Sequence, residues 1–176
     1  MADDLNMEVL EGERCPFCLK NTLTLRQMER DVPFFGKLII FGMDCENDDC
    51  NYAKSDVEFD EQKDPVKCTF EISSEDDLKV RVVKSSSATI KLPRIGAIEA
   101  SDNSNGYVTN IEGILNRMKT QIEKVRDISD DPSEKKKAKN LVKKLTNILW
   151  GRESLTITLD DPHGNSAIIS EKTKYK

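Results

Sequence analysis

Apolar and polar residues alternate with period two along most of the first hundred positions, the spacing of strands that bury one face. The runs TLTLRQME, FFGKLIIFGM and YAKSDVEF carry this pattern early, interrupted by Gly36 and Gly42, and KCTFEIS, LKVRVVKS, SATIKLP and GAIEA carry it from Lys67 onward. Between the two series lies EQKDP, whose proline and charges suit a boundary and divide the chain into units 1–64 and 65–176.

From Ile111 the period changes. Ile111, Ile114, Leu115, Met118, Ile122 and Val125 fall on one helical face, and Thr109 with Glu112 three residues later predicts a capping box. A second helix is announced by Asp131, Pro132 and Glu134, which supply a cap, a proline in the first turn and an acid at the positive end. Its stripe is Ala138, Leu141, Val142, Leu145, Ile148 and Leu149, with Trp150 at the end, and the short link ISDDPS makes the pair an antiparallel hairpin. Strand character returns at SLTITLDD and SAIIS, separated by the turn DPHGN, in which proline presets φ, glycine permits positive φ, and Asp and Asn can bond nearby main chain. A helical hairpin between earlier and later strands predicts a mainly β fold, one barrel or sandwich with the hairpin inserted at about 110–150, and not separate α and β domains.

Five cysteines add chemistry to this frame. Cys15 and Cys18 form a CPFC turn, Cys45 and Cys50 a longer DCENDDC turn, and 26 residues of hairpin separate the pairs. Two cysteine turns joined by strands make a zinc ribbon, since Zn²⁺ takes tetrahedral thiolate sulfur at ligand spacings of two to four. Cys15, Cys18, Cys45 and Cys50 are therefore the candidate ligands of one structural zinc, with Asp48 or Asp49 as a weaker substitute donor. A closed four-cysteine site leaves no position for water, which argues against a catalytic metal. DCENDDC lacks the alternating oxygen ligands, glycine and terminal glutamate of a calcium loop. Cys68, alone in KCTFEI, reads as a small core side chain.

Composition narrows the function classes. The chain has no basic start followed by an apolar centre, and runs such as Leu38 to Phe41 are too short to span a bilayer, so a cytoplasmic protein without membrane contact is expected. The net charge of −5 is unevenly spread: residues 1–66 carry 16 acids against 7 bases, the remainder 16 against 20. An acidic ribbon is poorly suited to phosphates, although zinc ribbons that bind nucleic acid in translation or transcription remain the alternative. A lone histidine, His163, sits in the DPHGN turn as a solvent-facing residue, with no second base or ligand beside it in sequence. GxSxG and P-loop patterns are missing, and the hydroxyls of SSSAT at Ser85 to Thr89 suit main-chain bonding in a loop. The chain thus reads as a non-enzyme without catalytic residues. DDPHGN is a specified turn, with a partner-binding loop as the sharper reading. The hairpin, with 10 bases and 6 acids from Asn110 to Trp150, is a solvated face or a charged surface for a partner.

Taken in order, CPFC, DVPFFGKLIIFGMDC, CNYAKSDV, RVVKSSSATIKLP, GYVTNIEGIL and TLDDPHGNSAI resemble the ZPR-type zinc-finger proteins over roughly Arg14 to Ile169. The resemblance implies a zinc ribbon followed by a double-stranded β-helix, a jelly-roll relative, with an inserted helical hairpin. It also implies a single unit, as in archaeal members, where eukaryotic relatives carry two. The partner it implies is translation elongation factor 1-alpha, whose folding eukaryotic members assist. One departure stands out: the family has two residues between its second pair of cysteines, and this chain has four, Glu46 to Asp49, while GMDC and CNY keep Cys45 and Cys50 at the ligand positions. Oligomeric state has no signature in the sequence.

Overall fold

The computed structural model describes residues 7–32, 36–60, 64–101 and 103–176. Phe34 and Phe35 of the predicted FFGKLIIFGM strand, and residues 61–63 of the predicted boundary, lie outside the described residues.

Four antiparallel strands, β1 (Met7–Arg14), β2 (Asn21–Val32), β3 (Gly36–Cys45) and β4 (Ala53–Phe59), form a meander in the order β1-β2-β3-β4. β1 is an addition to the sequence reading. Every one of its residues is exposed, so it shows no buried period, and it is held as an edge strand by its ladder to β2. The long β2–β3 ladder runs from Leu23 opposite Cys45 to Val32 opposite Gly36, which puts both cysteine turns at one end of the sheet.

The rest of the chain builds two facing sheets. β5 (Val66–Ile72), β7 (Thr89–Leu92), β8 (Gly96–Ile98), β10 (Leu155–Asp161) and β12 (Lys174–Tyr175) order as β12-β5-β10-β7-β8; β6 (Arg81–Lys84), β9 (Tyr107–Asn110) and β11 (Ala167–Ile169) order as β11-β6-β9. β10 is central because its seven residues alternate cleanly, with Leu155, Ile157 and Leu159 inward. They pack with Phe70, Ile72, Ile90 and Leu92 of the larger sheet and Val82 and Ile168 of the smaller one, so the core lies between the sheets. Cys68 is part of that core, as its sequence setting suggested, and burial pushes its thiol up to about 11.

Helices α1 (Ile111–Ile128) and α2 (Pro132–Leu149) lie between β9 and β10 as an inserted hairpin. The N-cap of α1 is Asn110 and not the expected Thr109. Asn110 Oδ1 accepts from Gly113 N–H at 2.8 Å, and Asn110 is the last residue of the β6–β9 ladder, opposite Arg81, so the helix starts one residue later than Thr109 would place it. The α2 cap is as expected, with Asp131 accepting from Ser133 N–H at 2.8 Å ahead of Pro132. Ile111, Ile114, Leu115 and Met118 enter the core with Leu145 and Ile148, but the stripe outlasts the surface beneath it. Val125, Ile128 and Trp150, all on or beside this apolar face, are exposed.

A smaller apolar cluster joins the two parts. Val32, Leu38, Val57 and Phe59 of the meander pack on Val83 of β6, with Ile40 and Ile169 alongside. Main chain closes the joint: Gly106 N–H donates to Ser55 C=O at 2.9 Å, and Ser55 Oγ donates to Gly106 C=O at 3.0 Å. There is no room for a side chain here, since a Cβ on Gly106 would lie 2.2 Å from Asp56 Oδ1 and 2.8 Å from Val57 N. Gly106→Ala should therefore cost about 1–3 kcal/mol by overpacking, read as a lowered urea midpoint; an unchanged midpoint would mean the joint is looser than this packing.

Candidate metal centre

Each cysteine turn is shaped by the same two backbone devices. The first cysteine N–H donates to the carbonyl two residues past the second cysteine, Cys15 to Lys20 at 2.9 Å and Cys45 to Tyr52 at 2.8 Å. The residue just after each second cysteine turns left-handed, Leu19 at φ 60° and Asn51 at φ 49°. Asparagine takes that region readily; leucine does so at a cost that the surrounding turn must offset. Both turns therefore fold back on themselves, and each points its two thiols across the sheet end at the other pair.

All four Sγ atoms lie within 4.8 Å of one another. Cys15 Sγ is 3.8 Å from Cys50 Sγ, and Cys18 Sγ is 3.7 Å from Cys45 Sγ. A disulfide needs about 2.05 Å, whereas four sulfurs about 2.3 Å from a tetrahedral zinc are separated by about 3.8 Å. The cysteines are free, and the donor set and its spacing fit Zn²⁺. The sequence-predicted ligands are thus all brought together, and Asp48 and Asp49, both exposed, are not part of the cluster.

Outer contacts order the thiols. Phe17 N–H donates to Cys15 Sγ at 3.4 Å, and the Thr22 hydroxyl lies 3.2 Å from Cys45 Sγ. The Lys20 main chain holds the Cys18 thiol down to about 6. Loss of water pushes Cys50 up to about 12, and the three neighbouring sulfurs push the same way. The Cys18 thiolate forms easily and the Cys50 thiolate does not, so ionising both calls for a cation at the centre. Over the two turns the rings of Phe17 and Tyr52 stack at 6.2 Å, and Phe17 is 77% exposed.

Where the meander meets the barrel, a cleft of about 520 Å³ is lined by Asp56, Ser85, Ser86, Ser87, His163 and Asn165, among others. Of the SSSAT hydroxyls, Thr89 bonds main chain as expected, accepting from Ala100 N–H at 3.2 Å, but the three serines turn to carboxylates. Ser85 Oγ and Ser87 Oγ each donate to the Asp161 carboxylate at 2.8 Å, and Ser86 Oγ donates to Asp56. The DDPHGN turn and the Ser166 that follows it add His163 N–H and Ser166 Oγ as donors to Asp161, and Asn165 Oδ1 accepts Phe59 N–H from β4 at 3.2 Å. Gly164 adopts φ 71°, as that turn requires, and His163 is exposed. Two loops far apart in sequence thus meet each other at Asp161, and reach β4 through Asp56 and Asn165. Neither aspartate carries a motif that would have marked it as a hub.

Residues 76–176 match the ZPR1 jelly-roll domain, more than half of the chain. An uncharacterized ZPR1-like protein of Methanocaldococcus jannaschii is 38% identical over 94% of this chain and 83% of its own length. The chain belongs to the ZPR1 family. A ZPR1-like protein of Pyrococcus horikoshii is 36% identical over all of this chain and 82% of its own length, which makes this an archaeal-like, single-unit chain. Eukaryotic members align over a smaller part of themselves: the zinc finger chaperone of Schizosaccharomyces pombe is 28% identical over 88% of this chain and 33% of its own length. The ZPR1 jelly roll here is the pair of facing sheets, and the four-cysteine cluster caps the ribbon before it. The lengthened second turn is absorbed locally, by Cys50 N–H donating to Asn47 C=O at 2.8 Å, without moving Cys45 or Cys50 out of reach.

Burial alone would raise the Asp161 pKa, but the Ser166, His163, Ser87 and Ser85 donors together outweigh it and hold the carboxylate below its usual range. Its stabilisation is then complete above the unfolded value of about 3.9 and is lost as pH falls through the folded one. Asp161→Asn should lower stability at neutral pH by about 1–3 kcal/mol in urea unfolding followed by Trp150 fluorescence, with the gap narrowing below about pH 4. A gap that stays constant on acidification would show that the charge does not matter.

Proposed function

We propose that this chain is a non-catalytic zinc-binding interaction protein. Cys15, Cys18, Cys45 and Cys50 hold one structural Zn²⁺, and the ribbon, residues 1–64, works beside the jelly roll, residues 65–176, in binding a protein partner in the cytoplasm. The observation that supports the metal best is the pair of Sγ separations, 3.7 and 3.8 Å, equal to the edge of a tetrahedral zinc–thiolate site. With four thiolates bound, the zinc has no open position, and its part is to hold two turns that bury little apolar surface.

The proposed partner is translation elongation factor 1-alpha. Family membership supports it, together with a relative that is named a chaperone. Binding one conformer of a GTPase more tightly than another is sufficient to shift its population, with no chemical step. The exposed acids Asp48 and Asp49 beside the zinc turns oppose phosphate contact at the ribbon tip and favour a basic protein surface.

Two experiments test the two halves. Cys50→Ser should lower zinc content well below that of the wild-type chain while the barrel keeps its strand signal in circular dichroism; full zinc occupancy would remove Cys50 from the ligand set. Titration against recombinant elongation factor 1-alpha should show association whose strength differs between nucleotide-bound and nucleotide-free forms. No association with either form would remove the partner assignment and leave the metal site untouched.

A further inference from the structure

A second cavity, of about 380 Å³, opens between the start of α1 and the barrel, with Lys84, Ser104, Asn105, Tyr107, Arg117 and Gln121 on its polar side and Ile98 and Met118 in its apolar wall. We propose that it is a binding site for a small organic phosphate monoester, which no part of the zinc reading requires.

The argument starts from two cations. Lys84 is 1% exposed, and its ammonium donates to Ser85 C=O at 2.9 Å while making no ion pair among the described residues. Burial pulls the Lys84 pKa below the usual lysine value, and Asp56 and Asp161 oppose this only at longer range. Burying an ammonium on one carbonyl leaves most of its donor capacity unused, a costly arrangement unless an anion completes it. Arg117, exposed at the rim, lies 4.1 Å above the Tyr107 ring, and Lys84 Nζ is 5.6 Å from the same ring centroid. Among the described residues Arg117 has no hydrogen bond and no ion pair. Stacking uses the face of a guanidinium and leaves its edge, with the N–H groups, free to grip an oxyanion.

Charge and shape then select the ligand. Two positive groups, and no carboxylate lining the cavity among the described residues, call for a dianion. The wall of Ile98 and Met118 calls for an apolar body behind the charge, and the volume is that of a small-molecule pocket of about 300 Å³ or more. An inorganic anion would leave that wall bare. A monocarboxylate would balance only one of the two positive charges.

Phenyl phosphate is the probe, titrated into the full chain by calorimetry, with inorganic phosphate and benzoate as comparisons. Phenyl phosphate should bind more tightly than either. Arg117→Gln, an exposed change that leaves the fold intact by circular dichroism and thermal melting, should weaken it roughly tenfold or more, the loss of one charge-assisted contact. Lys84→Met, if it folds, should weaken it further. Absence of phenyl phosphate binding, equal affinity in Arg117→Gln, or benzoate or inorganic phosphate binding as tightly as the ester would each overturn the proposal.

Discussion

Apolar burial runs out at the cysteine end of the ribbon, and the arrangement there answers to that shortage. At the opposite end of the meander, Val32, Leu38, Val57 and Phe59 are buried against the barrel. At the cysteine end only Cys15, Leu23 and Thr24 are buried, and β1 contributes nothing to a core. A sheet with so little covered area cannot hold two turns in place by the hydrophobic effect alone. The local backbone is therefore spent on aiming thiols: two left-handed residues, two cross-turn hydrogen bonds and an N–H on Cys15 Sγ all converge on one point. The four thiols gathered there could hold a metal ion, which would stand in the place of a core.

At the other end the ribbon meets the barrel through polar hubs as well as apolar contact. Asp56 accepts from Ser86 and Val57 N–H, and Asp161 accepts from Ser85, Ser87, Ser166 and His163. A buried network of this kind is tolerable only when each member is satisfied, and it then fixes orientation more sharply than interchangeable apolar contacts can. Gly106 belongs to the same device, because its missing side chain lets β9 approach β4 closely enough for Ser55 to pair with it. Orientation is what this joint specifies. The cleft it leaves is a consequence of where the loops are pinned.

Much of this was legible in the sequence where burial leaves a periodic trace. The β5 and β10 strands alternate because one face of each is covered, and α1 and α2 show their helical stripe because Ile111, Ile114, Leu115, Leu145 and Ile148 enter one core. The four cysteines were legible from spacing, which reflects turn geometry. Elements too exposed or too short to show a period left no such trace: β1 is wholly exposed, β9 has four residues, and β12 has two. Thr109 and Asn110 can both cap a helix, and only the end of the β6–β9 ladder decides between them. The end of the stripe at Val125 and Trp150 depends on where the barrel surface stops, which no local pattern records. Lys84 is the deepest mismatch, a cation read as part of a half-exposed strand and found almost fully buried.

The charge asymmetry takes on a structural meaning once the parts are placed. Acids outnumber bases 16 to 7 over residues 1–66, and the lengthened Glu46 to Asp49 turn adds exposed carboxylates beside the four clustered thiols. The helical hairpin carries the opposite balance and emerges from the far unit of the chain. Fields of opposite sign on one small molecule orient an approaching charged surface before contact, and they do so only within about a Debye length, roughly 8 Å at physiological salt. The ribbon tip therefore selects against polyanions and the hairpin against polycations. A macromolecule that engages both must itself carry segregated charge, a condition that a folded protein surface meets and a uniform phosphate backbone does not.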